Sequence, residues 1–292
     1  MRKYLLLATM ALCFGTSLAQ EKRDPKEPTA EELYEKAFDY MYGRNGVIMD
    51  SIKAAELFEQ SAKMGFAKAQ VERACIEKSD SIALKWLLKA AALDCHYAMR
   101  PLFSIYYNGY NDVPKNVEEA YKWLKKGAEL GNPWCQWLWG YTLHYGDDGI
   151  PINVNQAIFW LEKAALQNQD EAMEELGELY QDGELTNRDI NKTIYWYQKA
   201  SELNNLIAKE RLAMMYQVGD GVDVDKEKAF KLMKEAASLG SVSAQIKTGI
   251  MYDGGVGCAK DRFAAEYWWN VALKNPKISK EDKESVKGFL EE

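Results

Sequence analysis

Histidine is almost missing from this chain: His96 and His144 are the only two in 292 residues. Metal sites gather several His, Cys or carboxylate ligands at regular spacing, and neither H-x-x-x-H nor C-x-x-C occurs. Triad chemistry needs an imidazole base, and no nucleophile motif stands beside either histidine. No catalytic residue, metal or cofactor is therefore expected. The acidic stretch Asp220-Gly-Val-Asp223-Val-Asp225 does not rescue a calcium loop. Counted from Asp220 its third position is Val222, and counted from Asp223 its sixth is Lys228 where the loop requires Gly. A positive excess is lacking as well. Against 44 Asp and Glu stand 37 Lys and Arg, a balance that disfavours nucleic acid and anionic membrane as partners.

Long apolar runs are lacking too, with one short exception at the start. Met1-Arg-Lys3 is followed by an apolar run over residues 5–14 and then by Ser17 and Ala19, small residues that suit signal-peptidase cleavage before Gln20. The run is too short to span a bilayer, and no later stretch is apolar enough. Residues 1–19 are thus expected to be a signal peptide. The mature chain is expected in the periplasm of a Gram-negative bacterium, or secreted. Without Arg2 and Lys3 it carries 35 basic against 44 acidic residues. Residues 20–29, with Pro25 and Pro28, read as a flexible linker. Thr29-Ala-Glu-Glu32 is a capping box that opens the first helix.

What is present in abundance is one repeated block. Ala54, Ala83, Ala120, Ala157, Thr193, Ala229 and Ala265 recur at spacings of 29, 37, 37, 36, 36 and 36. Such a period points to stacked helix pairs. Four residues before each anchor stand Asp50, Ser79, Asn116, Asn153, Asp189, Asp225 and Asp261, every one a good N-cap. Three residues after come Leu57, Trp86, Trp123, Trp160, Trp196, Leu232 and Trp268, expected to be the packing position of the repeat. Small pairs such as Gly127-Ala128 and Ala164-Ala165 follow, and then Gly65, Asp94, Gly131, Asn168, Asn204 and Gly240, which tolerate the left-handed conformation that ends a helix. A second helix follows, with inner faces Leu176-Gly177-x-x-Tyr180, Leu212-Ala213-x-x-Tyr216 and Thr248-Gly249-x-x-Tyr252.

These residues resemble the Sel1-like repeat family, a relative of the tetratricopeptide repeat. The signature A-x-x-x-L-G-x-x-Y-x-x-G stands at residues 172–183. Its continuation D-x-x-K-A-x-x-W-x-x-K-A-A-x-x-G stands at 225–240, with Leu232 for Trp. The resemblance implies an all-α, right-handed α-solenoid of about seven stacked repeats over residues 30–276. It further implies a protein-interaction scaffold, with the first helix of each pair lining the concave side. Residues 277–292 read as a charged capping helix whose apolar face is Val286, Phe289 and Leu290. Repeat two is short, and the stack is expected to change curvature there.

The mature chain would keep Cys75, Cys95, Cys135 and Cys258, and an exported chain with four cysteines can carry bridges. The cysteine-rich branch of the Sel1-like family, with members reported to bind or hydrolyse penicillins, has two cysteines per repeat. At the matching positions stand pairs such as Ala91 and Met99, Ala128 and Gln136, or Ala165 and Met173. Buried thiols are expected instead, and a β-lactam-hydrolysing enzyme is disfavoured.

One face departs from the repeat. Trp134 and Trp137 occupy positions that hold Glu171 and Glu174, Ile207 and Glu210, or Ser243 and Ile246 elsewhere. A position that accepts Glu is ordinarily exposed. Continuing at helical spacing come Tyr141 and His144, and on the preceding repeat Tyr97, Arg100 and Tyr107. With Glu174 and Glu178 beside them, these residues compose a candidate binding groove for a protein or peptide. A glycan such as a peptidoglycan fragment, or another cell-envelope component, is the alternative occupant. The opposing reading is that the short second repeat or a long loop buries the rings.

Overall fold

The structure is a computed structural model that describes residues 27–110, 112–147, 149–183 and 188–291. The expected signal peptide, the cleavage before Gln20, and most of the expected linker lie outside the described residues. Fifteen α-helices are present among the described residues, and no strand. The chain divides between Arg73 and Ala74 into two compact units.

The first unit holds α1 (Ala30–Tyr42), α2 (Ser51–Lys63) and most of α3 (Ala67–Ile76). Its start follows from local chemistry. Thr29 Oγ1 accepts from the Glu32 amide at 3.1 Å, and the Thr29 amide donates to Glu32 Oε2 at 2.7 Å, completing the capping box. Leu33 and Ala37 of α1 then bury against Ala54, Leu57 and Phe58 of α2.

The second unit is an all-α solenoid. It runs through α4 (Asp80–Ala92), a 3-10 turn (His96–Ala98) leading into α5 (Met99–Asn108), α6 (Val117–Glu129), α7 (Pro133–Tyr145) and α8 (Val154–Ala165). Then come α9 (Asp170–Asp182), α10 (Ile190–Glu202), α11 (Leu206–Val218), α12 (Lys226–Ser238), α13 (Val242–Gly254), α14 (Arg262–Lys274) and α15 (Lys280–Glu291). Each odd helix from α5 to α13 packs most extensively on the even helix after it, then on the one before. Each expected N-cap is one: Asp50, Ser79, Asn116, Asn153, Asp189, Asp225 and Asp261 all accept backbone amides with their side chains. Asp94, Asn168 and Asn204 take positive φ at 52°, 62° and 66°, where Asn and Asp are tolerated and larger or branched side chains are not.

The packing position requires a correction. The expected plug, three residues after each anchor, is buried at Leu57 and Trp268 but only half-buried at Trp86, Trp123, Trp160, Trp196 and Leu232. The residue one further along is the true plug: Phe58, Leu87, Leu124, Leu161, Tyr197, Met233 and Trp269 are all buried almost completely. The reason lies on the opposing helix. A Cβ added to Gly140 would stand 2.8 Å from Leu161, one on Gly177 2.5 Å from the Tyr197 ring, and one on Gly249 2.2 Å from Trp269. At these three positions the glycine of the inner face opens a socket that takes the fourth side chain, not the third.

A further device escaped the sequence reading. Gln70, Gln136 and Gln245 donate to the carbonyls of Ala62, Ala128 and Ala237 at 3.1–3.3 Å. Each carbonyl also accepts a backbone amide, from Gly65, Gly131 or Gly240, so the glutamine fills its second acceptor site and ties the last turn of one helix to the next. At the far end Val286 is fully buried against Ala265 and Trp269, with Phe289 and Leu290 alongside, so α15 packs on α14.

Candidate functional site

The face in question is built on three neighbouring odd helices, α5, α7 and α9, all within the second unit. Asn132 starts α7 by accepting from the Cys135 amide at 3.0 Å, while its Nδ2 donates to the His96 carbonyl at 3.0 Å. Pro133, which needs no amide partner, supplies the first turn. From that fixed start Trp134, Trp137, Tyr141 and Tyr145 succeed one another at spacings of three or four and share a face.

Their rings form a continuous ribbon. The Phe103–Trp134 centroids are 5.8 Å apart, Trp134–Trp137 6.1 Å, Trp137–Tyr141 6.3 Å and Tyr141–Tyr145 4.7 Å. The ribbon extends back along α5 through Phe103 and Tyr107, stacked at 5.1 Å. Trp134 and Trp137 are half-buried, and Trp137 leans on the main core, whereas Tyr141 and Tyr145 are 40% and 47% exposed. The ribbon therefore has a packed root and an open end. Arg100 lies 4.6 Å above Trp134, and Lys115 5.3 Å from Tyr107, so both rings carry their own cations. Burial lowers the Arg100 pKa, the mark of a guanidinium partly withdrawn from water. The Tyr97 ring lies 4.0 Å from that of His96, tilted by 35°, before the start of α5.

His144 is a correction. It does not join the exposed face but is 6% exposed, with Nδ1–H donating to Glu175 Oε1 at 2.6 Å. The Tyr141 and Tyr145 positions face outward, while His144, one position before Tyr145, turns about a quarter of the way round the helix toward α9. Glu175 is itself buried, a residue that sequence reasoning passed over because its neighbours in register, Leu138, Arg211 and Lys247, suggest no interior carboxylate. A buried pair of this kind holds α7 against α9, and breaking it leaves a stranded polar group.

Beside the open end stand Glu174 and Glu178 of α9, both half-buried. Glu178 has Arg211 of α11 at 3.7 Å. Glu174 has no hydrogen bond or ion pair among the described residues. Burial first, then the charges of Glu175 and Glu178, push its pKa up to about 7, against a smaller downward pull from Arg211. The same carboxylates, after burial, raise the phenol of Tyr141. Burial likewise pushes the Cys135 thiol beneath α7 up to about 12, which makes it inert. Among the described residues no disulfide joins the four cysteines, and no group of three or more His, Cys, Asp or Glu is placed to hold a metal ion. None of the described helices is long and apolar enough to cross a membrane.

Comparison with known proteins adds the following. The Sel1 repeat model matches residues 4–39, 40–66, 72–95, 96–132, 135–169, 170–205, 207–241 and 242–275. Among solved structures the chain is similar to a protective antigen present in uropathogenic Escherichia coli strains, described as displaying an SLR fold. Identity is 27% and the TM-score 0.72, over 81% of this chain and 51% of that one, so the chain spans about half the length of that relative. A Sel1 repeat protein from Oxalobacter formigenes is similar in fold, at 22% identity and a TM-score of 0.72, over 89% and 76% of the two chains. No curated protein matches the chain.

Proposed function

The chain belongs to the Sel1 repeat family, and from that premise we propose that it is an exported scaffold that docks a protein or peptide segment on the aromatic face of α5, α7 and α9. Proteins of this family typically mediate protein–protein interaction and are generally non-enzymatic. The observation that carries the reading is the open end of the ribbon. Tyr141 and Tyr145 are exposed aromatic rings at register positions filled elsewhere by Glu178, Met214 and Ile250, or by Asp182, Val218 and Gly254. Packing of the repeat needs no aromatic there. Exposed aromatics beside a half-buried Trp are the composition of a binding hot spot.

Export rests on the basic start, the apolar run over residues 5–14 and the small residues before Gln20. The mass of the mature chain recovered from an envelope fraction tests it. A first residue of Gln20 supports export, and an intact Met1 overturns it.

Docking is tested by a photocrosslinking amino acid placed at Tyr141 or at Tyr195. Tyr195 is 51% exposed on α10 and outside the ribbon. A discrete adduct formed in envelope extract from position 141 and not from 195 is the expected result. Equal labelling from both, or labelling from 195 alone, removes the face from consideration.

A further inference from the structure

Aromatic rings in this molecule are repeatedly capped by its own cations. Lys192 lies 4.5 Å from the Tyr180 ring, Lys228 4.1 Å from Tyr216, and Arg100 4.6 Å from Trp134. The open end of the ribbon is not capped in this way, and neither, among the described residues, are the exposed rings of Tyr195 and Tyr267 elsewhere. Among the described residues no Lys or Arg is placed over Trp137, Tyr141 or Tyr145, whose rings adjoin one another at 6.3 and 4.7 Å. The charges that do adjoin them are carboxylates: Glu174, Glu175 and Glu178 all act on the Tyr141 phenol. Two of these have partners, Glu175 in His144 and Glu178 in Arg211. Glu174 does not, although it is half-buried. A ring face attracts a cation through its quadrupole, and a desolvated carboxylate attracts one through its charge. Both attractions converge on one place, where the chain's own cation is only the longer-range pull of Arg211, which is paired with Glu178.

We infer that the partner supplies that cation: the segment docking here carries a lysine or arginine side chain, seated over Trp137 and Tyr141 with its charge toward Glu174. The inference rests on the docking role proposed above and names the chemistry of what docks. The cationic head replaces for Glu174 the neighbour that Arg211 is for Glu178. The aliphatic stem covers the ring faces, which is where long basic side chains bury their methylenes. A neutral or acidic segment finds the same rings but leaves Glu174 unpartnered.

Dodecapeptides of repeated Leu-Ser-Lys, and counterparts with acetyl-lysine or Glu in place of Lys, test this on the mature chain. The readout is the indole N–H resonance of Trp137, assigned by its loss in Trp137→Phe. The Lys peptide should shift it saturably and bind at least about fivefold more tightly than the acetyl-lysine peptide, with the Glu peptide weakest. Glu174→Gln should erase that preference, while Glu129→Gln, on the exposed side of α6, should leave it unchanged. If Lys and acetyl-lysine peptides bind equally at Trp137, the cation is wrong and the docking face stands. Should no peptide of any charge move the Trp137 resonance, both fail. Equal losses from Glu129→Gln and Glu174→Gln would reveal nothing but attraction to a net acidic surface, and that outcome also overturns the assignment.

Discussion

Glu174 is the residue whose surroundings are least matched to its chemistry. Its pKa stands near 7 in the folded chain, against about 4.3 for an unperturbed Glu. A carboxyl raised on folding binds its proton more tightly in the native than in the unfolded chain. Its contribution to stability is therefore fully present below about pH 4, and is lost as pH rises through about 7. Glu174→Gln should leave melting near pH 4 almost unchanged and raise it above pH 7.5. The difference between variant and parent should grow across that window, as thermal melts at several pH values would show. A parallel pair of profiles would mean that Glu174 is solvated. This residue was legible as a candidate because its register partner is Trp137. Its isolation was not, since the lack of a cation beside it depends on where Arg211 points. His144 marks the opposite failure. Its sequence position is three beyond Tyr141, yet the carboxylate that claims it lies a whole repeat away in Glu175.

Among the helices, the caps and stops were readable one by one because each is a short-range hydrogen bond or a single backbone angle. The burial of the third as against the fourth residue was not. Those positions lie about 100° apart on a helix, and both carry large side chains. What decides between them lies on the neighbouring helix, as the glycine sockets that face Leu161, Tyr197 and Trp269 show. Two measurements follow. Leu161→Ala, emptying the socket of Gly140, should lower stability by about 3–5 kcal/mol. Trp160→Ala, at a half-buried ring, should cost about half the ~3–5 kcal/mol of a fully buried one. Denaturant melts that rank Trp160→Ala above Leu161→Ala would restore the first assignment. Gly177→Ala tests the socket from its other side. Alanine favours the helix by about 1 kcal/mol, but its Cβ would meet Tyr197 ring carbons at 2.5 Å, and overpacking of this kind costs about 1–3 kcal/mol. The clash should win, because Tyr197 is fully buried and its hydroxyl is tied to Gln181 at 3.0 Å. Gly177→Ala combined with Tyr197→Leu should show a favourable coupling of about 1 kcal/mol or more. Additive losses would mean that the ring simply moves aside.

At the scale of the second unit, each helix pair leans only on its neighbours, so stability is distributed along the array. The end pair is held by α15, where Val286 covers Trp269 and Arg262 Nη2 donates to the Phe289 carbonyl at 2.7 Å. Removing residues 277–292 should expose Trp269 and destabilise α13 and α14 by roughly 3 kcal/mol or more, while α6–α9 keep their protection. Hydrogen exchange resolved by peptide tests this, and uniform loss of protection across the unit would show a single cooperative block instead. The repeat period made the array readable at this scale. The division between Arg73 and Ala74 is not legible in the repeat period, which reads as one continuous array with a change of curvature at the short repeat.

The sockets also bear on how such a chain lengthens and shortens over generations. Gly140 faces Leu161, Gly177 faces Tyr197 and Gly249 faces Trp269, and the same register positions hold Phe103 with Leu124 and Ala213 with Met233. Each inner-face residue is a key cut for the next helix in line, and the keys differ. Loss of one whole period that brought Phe103 against Leu161 would pair sizes already found together. Loss of two periods, bringing Phe103 against Tyr197, would set two aromatic rings where a glycine was needed. The repeats share a fold without being interchangeable, so deletion of a whole period should be tolerated best at the junctions whose sizes agree.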